Sequence, residues 1–303
     1  MQRTPRPFGT RLEKKPPTKI AKLVTAATIS AGLLLAAGLG YLQVDANTEI
    51  ADNMEAATAY TPPEITAPPI PDPHPVETTS TRASDAINRL KNRDQTWTMT
   101  VLSDSTSNEP TEWVQLLVKR LAEATGRPAT IHNWENSKNG TKYGTETVIP
   151  GEGAPIIVWN GSAPGNKALD SLNAIDVMAP ERADLLVISH AHNQVNGDET
   201  LTQISSLIRW AQDAWEEQPG LALVIQNPSL GLNLGRQASN TDAIRRQWDE
   251  AENLILIDAY MAFDQSDDIP SLLREDRFHP SEKGSRLWAD TAWNALDLDQ
   301  FEN

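Results

Sequence analysis

The sequence predicts an α/β fold, a three-layer α/β/α domain with a central parallel sheet, over residues 95–298 of a 303-residue chain. Short β-branched and aromatic runs alternate there with amphipathic stretches at helical spacing. The helical stretches are long enough to carry the chain back over a sheet, which joins successive strands in parallel and covers both faces. Polar, reactive side chains gather where the strands end, the edge at which such sheets place their sites.

Thr96–Ser103, rich in Thr, Val and Trp, reads as the first strand. Pro110 opens a helix in which Trp113, Leu116, Leu117, Leu121 and Ala124 share one face, and Gly126 closes it. Ala129–Trp134 is the second strand, and Ile156–Trp159 the next, after a polar, Gly-rich excursion. Leu185–Ser189 is a short buried strand, succeeded by a helix with Leu201, Ile204, Leu207, Ile208, Ala211 and Trp215 at helical spacing. Leu221–Gln226 and Leu254–Asp258 are further strands, separated by a polar helix around Thr241–Glu250. A helix from about Ser281 to Leu296 closes the domain, and residues 299–303 form a tail.

The first 94 residues have another character. Residues 1–22 carry seven basic side chains against one acid, Glu13; the whole chain is at −15, so the remainder carries −21. Leu23–Val44 is largely apolar with no charged residue. As a helix its length is roughly 33 Å, enough for a bilayer core. The basic flank keeps residues 1–22 cytoplasmic and places the chain beyond residue 44 on the far side of the membrane. That length favours a signal anchor over a cleaved signal peptide, for which Val44-Asp45-Ala46 offers a small-residue site. Either way the domain is extracytoplasmic: membrane-anchored through residues 23–44, or secreted after cleavage. Residues 45–94 hold seven prolines among Thr, Ala and Glu, a composition that favours an extended, disordered linker.

Composition excludes several functions. An acidic body repels phosphate backbones, which argues against a nucleic-acid partner. No cysteine is present, so disulfides, thiolate metal sites and thiol nucleophiles are excluded.

The strand ends supply a chemistry. The first strand exits into Ser103-Asp104-Ser105, the strand at Ile156 into Asn160-Gly161-Ser162-Ala163-Pro164-Gly165, and the strand at Leu185 into His190-Ala191-His192-Asn193-Gln194. Asp276-Arg277-Phe278-His279-Pro280 precedes the last helix. Acyl transfer needs a hydroxyl nucleophile, a base, a carboxylate to fix the base's tautomer, and donors for an oxyanion. Each part is available. His190 and His192 share a strand face, but no third ligand with suitable spacing accompanies them, so no metal is expected.

On these residues the chain resembles the SGNH hydrolases, also called GDSL esterases, over about residues 96–296. Ser103-Asp104-Ser105 matches the family's Gly-Asp-Ser block. Gly165 fits its oxyanion glycine, Asn193 in Ala191-His192-Asn193-Gln194 its oxyanion asparagine, and Asp276 to His279 its Asp-x-x-His block. The resemblance implies a flavodoxin-like three-layer domain and a triad of Ser105, Asp276 and His279. It also implies an oxyanion hole from Ser105, Gly165 and Asn193, and no cofactor. The implied substrate is an ester of a small molecule, an envelope glycan or a lipid. Ser103, Ala191 and Gln194 depart from the pattern without removing a group that does chemistry. An O-acyltransferase on the same scaffold and a silent glycan-binding module are the alternatives.

Overall fold

The computed structural model describes residues 83–302, apart from residues 138, 139, 232, 233, 250 and 252. The expected membrane segment and the linker up to residue 82 lie outside the described residues. Among those described, no helix is long and apolar enough to cross a membrane.

Seven strands form one sheet: β1 Trp97–Ser103, β2 Ala129–Ser137, β3 Gly140–Ile149, β4 Ile156–Ser162, β5 Leu185–Ser189, β6 Gly220–Ile225 and β7 Leu254–Asp258. Their order is β3-β2-β4-β1-β5-β6-β7. The helices are α1 Ala83–Asn88, α2 Trp113–Thr125, α3 Ala168–Asn173, α4 Ile175–Met178 and α5 Gly197–Ala214. They continue with α6 Leu234–Trp248, α7 Ala259–Asp264, α8 Ile269–Leu272 and α9 Glu282–Ala295.

The two-residue period of the strands builds two cores. Leu185 and Val187 of β5, with Ala222 and Val224 of β6, join a core that also holds Leu117 and Leu121 of α2 and Trp288 and Trp293 of α9. Leu186, Ile188, Leu221 and Leu223 face the other way, onto Ile204 and Leu207 of α5 and Ile244 of α6. Strands buried on both faces read as continuous apolar runs, which is why the central strands were visible in the sequence. Trp113 and Trp288, both fully buried, stack at 5.4 Å and fix α2 against α9.

Three expectations need correction. The sheet is not wholly parallel: the polar excursion after β2 is β3, an antiparallel edge strand. An edge strand with one face in solvent needs few apolar residues, and here Tyr143 carries the buried side, donating to Met178 O at 2.6 Å. Residues 83–94, assigned to the linker, instead contain α1 and a 3-10 turn, Arg89–Lys91, that bury Ala86, Ile87 and Leu90. Trp97 at the start of β1 donates to Ala86 O at 2.9 Å, and Ala86 lies against Gly220 at the start of β6. The tail is also partly structured: Leu298–Phe301 forms a 3-10 turn, and Asp299 accepts from Trp293 Nε1 at 2.7 Å.

The α1 packing predicts where the folded unit can be cut. A protein beginning at residue 95 should be about 2–5 kcal/mol less stable than one beginning at residue 83, because Ile87 and Leu90 leave the core. Urea unfolding of the two proteins measures this, and equal midpoints would show that α1 contributes nothing.

Candidate active site

β1 lies between β4 and β5, so the sheet grows first to one side of β1 and then to the other. Side-by-side strands whose connections diverge leave a crevice at their carboxyl ends. Register aligns three serines at that edge, with Ser103 opposite both Ser162 and Ser189. The loops carrying Ser105, Gly165 and Asn193 all start from this row.

The first turn after β1 is held from several sides. Ser103 Oγ lies 2.9 Å from Ser107 Oγ and 3.1 Å from Ser189 O. Ser107 also accepts from Trp113 Nε1 at 2.7 Å, and its carbonyl accepts from Asn160 Nδ2 at 2.9 Å. Ser103 has no positive φ, so the position does not require glycine, and its hydroxyl adds a tie between β1 and β5.

Asp104 is fully buried. Its Oδ1 accepts from the Thr106 N–H at 3.0 Å and from Thr106 Oγ1 at 2.8 Å. Its Oδ2 accepts from Gln226 Nε2 at 3.1 Å and from Asn193 Nδ2 at 3.3 Å. Gln226, which leaves β6, also donates to Ser189 O at 3.0 Å and accepts the His192 N–H at 2.9 Å. This residue was missed in the sequence, although the rule of carboxyl strand ends points to it.

The second half of the site lies on the loop between α8 and α9. Gly284 lets these helices meet: a Cβ there would stand 2.1 Å from Leu272 O. The Ser281 N–H donates to Leu272 O at 2.8 Å, and Ser281 Oγ caps α9 by accepting the Gly284 N–H at 3.2 Å. Arg277 takes φ 56° at the tip, an uncommon conformation for a non-glycine residue. Its carbonyl accepts the Leu230 N–H at 2.9 Å, and Phe278 O accepts from Asn227 Nδ2 at 3.0 Å.

This loop brings the predicted trio together. His279 Nε2 lies 2.8 Å from Ser105 Oγ, and His279 Nδ1 lies 2.6 Å from Asp276 Oδ2. Asp276 Oδ1 accepts the N–H groups of Phe278 at 2.9 Å and His279 at 3.0 Å. Partial burial pushes the Asp276 carboxyl up, but the His279 ring and these two N–H groups outweigh it and hold the group below the usual carboxylate range. An ionised Asp276 accepts from His279 Nδ1, which turns Nε2 toward the Ser105 hydroxyl.

Of the predicted oxyanion residues beyond Ser105, Asn193 reaches the same turn through Asp104. Asn193 Nδ2 donates to Asn166 O at 3.0 Å as well as to Asp104, which places it between the β1 and β4 loops. Gly165 has φ 79°, a conformation that favours glycine, with no other atom within 4 Å of where a Cβ would stand. His190 and His192 are buried and separately engaged: His190 Nε2 is 3.0 Å from Ser171 Oγ, and His192 Nε2 donates to Asn227 O at 2.8 Å. Burial pushes His190 down to about 4 and lowers His192 as well, so both rings are neutral near pH 7. Among the described residues, no group of three His, Asp or Glu side chains is placed to hold a metal ion.

A mostly parallel α/β sheet with a Ser-His-Asp hydrogen-bond chain at its switch point is consistent with an SGNH-type hydrolase scaffold. The chain belongs to the GDSL-like lipase/acylhydrolase family, whose model matches residues 83–292. No curated protein matches it in sequence. Among solved structures, it is similar to a two-domain esterase active on acetylated mannans, with a TM-score of 0.51 and 12% identity, covering 72% of this chain and 54% of that one. It is also similar to the lipase/acylhydrolase from Enterococcus faecalis, with a TM-score of 0.49 and 17% identity over 67% of this chain and 96% of that one. A variant of Axe2, an acetyl xylan esterase from Geobacillus stearothermophilus, aligns with a TM-score of 0.49 and 17% identity, covering 68% and 96%.

Gln226 gives a test of how the site is held. Gln226→Leu removes the donor to Asp104 and Ser189 and the acceptor of the His192 N–H. It should cost about 2–4 kcal/mol, read by urea unfolding. Gln226→Glu, which sets a second carboxylate against Asp104, should be worse.

Proposed function

We propose that this family member is a membrane-tethered, extracytoplasmic serine esterase with Ser105 as nucleophile, His279 as general base and Asp276 as the residue that orients His279. The observation that carries the proposal is the unbroken hydrogen-bond chain from Asp276 through His279 to Ser105. Ser105 Oγ attacks the ester carbonyl as its proton passes to His279 Nε2, and the carbonyl oxygen becomes an oxyanion. The N–H groups of Ser105 and Gly165 and the Asn193 amide receive that charge, the amide releasing its longer contact to Asp104. The His279 proton then goes to the leaving alkoxide. Water, deprotonated by the same nitrogen, attacks the acyl-enzyme and frees Ser105. None of these steps calls on a cofactor.

The substrate class is an O-acyl ester of a small molecule, an envelope glycan or a lipid. Export is supported by the basic flank and uncharged apolar run of residues 1–44.

Ser105→Ala should lower turnover of p-nitrophenyl acetate by on the order of 10⁴ or more while the protein stays folded. Wild-type activity in that variant would remove Ser105 from the mechanism. Topology is tested separately: protease added to intact cells should release the domain by cutting between residues 45 and 82, and an N-terminal tag should stay protected. Recovery of the domain from the cytosol would sink the export reading.

A further inference from the structure

Ser105 and His279 lie 174 residues apart, on segments joined by few hydrogen bonds among the described residues. Between residues 104–112 and 273–281, the described residues make one hydrogen bond through the reacting atoms themselves, Ser105 Oγ to His279 Nε2 at 2.8 Å. Every other hydrogen bond between these segments comes from Arg274. Its Nη1 donates to Glu109 Oε1 at 3.1 Å, and its Nη2 to Glu109 Oε2 at 2.7 Å and Glu112 Oε1 at 3.1 Å. On its own segment, Arg274 Nε donates to Pro280 O at 3.0 Å and its backbone N–H to His279 O at 2.8 Å. One guanidinium thus grips the chain four and seven residues beyond the nucleophile and the backbone directly around the base.

We infer that Arg274 is a positioning residue that sets the separation of Ser105 and His279 by clamping the nucleophile loop to the base loop. The inference rests on the triad assignment proposed above. The planar fork suits the task, because it engages Glu109 with two parallel bonds and leaves donors for Glu112 and Pro280. The Glu112 end is rigid. Its carboxylate is fully buried at the entrance to α2, and its Oε2 accepts the Glu109 N–H at 2.8 Å. Burial pushes Glu112 up to about 7, and Arg274 and the backbone donors act against that rise.

The energetic contrast makes the clamp testable. Glu109 is 47% exposed and Arg274 34%, so their pairing adds little to global stability. The geometry it fixes matters more, since a misplacement of about 1 Å between reacting groups can cost 10²-fold in rate. Loss of the Glu109 contact should therefore appear in kcat and in nucleophile reactivity with little change in Tm, whereas Arg274→Ala also leaves the buried Glu112 without its cation and should lower Tm.

The experiment uses the full-length protein with p-nitrophenyl acetate turnover, the rate of covalent labelling by an uncharged fluorophosphonate, and thermal unfolding. Labelling of the wild type that is absent in Ser105→Ala upholds the triad assignment; no labelling of the wild type removes that assignment and this inference with it. With labelling established, Arg274→Ala should lose roughly 10–100-fold in both kcat and labelling rate, with KM within about twofold. Arg274→Lys keeps the charge but loses the fork, and should fall between the two. If Arg274→Ala does not fold, Glu109→Gln carries the test and should move kcat and labelling the same way by a smaller factor. Wild-type kcat and labelling in folded Arg274→Ala, or in Glu109→Gln where that variant stands in, overturns the inference. Reduced turnover with an unchanged labelling rate overturns it too, because Arg274 would then act on the substrate and not on Ser105.

Discussion

A carboxylate with no exposed surface must be met by donors on every side, and Asp104 imposes that requirement on the centre of this domain. Its two oxygens are satisfied by neutral groups from three strand ends: Thr106 after β1, Asn193 after β5 and Gln226 after β6. No cation takes part among the described residues. A fully buried carboxyl held by donors from three strand ends ties the loops around Ser105 to one another before a substrate arrives. The turn that presents Ser105 is one consequence, and the placement of the Asn193 amide is another.

The apolar architecture supports the same arrangement from below. Alternate residues of β5 and β6 fill opposite cores, so the strands cannot slip by one residue without exchanging their two faces. Fixed register keeps Ser162, Ser103 and Ser189 in one row, and with them the three loops that leave it. The base arrives differently. His279 sits on a loop whose place is set by α9 packing, by the contact of Gly284 with Leu272, and by Arg274.

Much of this was legible in the sequence, for identifiable reasons. Leu185–Ser189 and Leu254–Asp258 match their strands in full, because each packs its apolar residues into one short run, the first near the middle of the sheet and the second at its edge. That Ser105, Asp276 and His279 would meet was legible because each lies in a short local pattern beside an element boundary. The β3 strand was not: an edge strand carries its partner only on one side, and its Thr, Lys and Gly residues read as loop. The α1 helix was missed because its few core contacts are made by Ala83, Ala86 and Ile87, a short run that follows a proline-rich stretch. Gln226 and Arg274 belong to no local pattern. Gln226 reaches 122 residues to Asp104, and Arg274 reaches 165 to Glu109, so only the fold shows what they do.

The position of α1 has a bearing on how the domain meets its surroundings. Ala83 and Ala86 lie against the first residue of β6, and Trp97 at the first residue of β1 bonds to Ala86. Both contacts are at the amino ends of the strands, while the Ser105 crevice opens at their carboxyl ends. The described residues therefore begin at one pole of the sheet, and Ser105, His279 and Asp276 meet at the other. A label or support attached at residue 83 would thus sit away from the crevice.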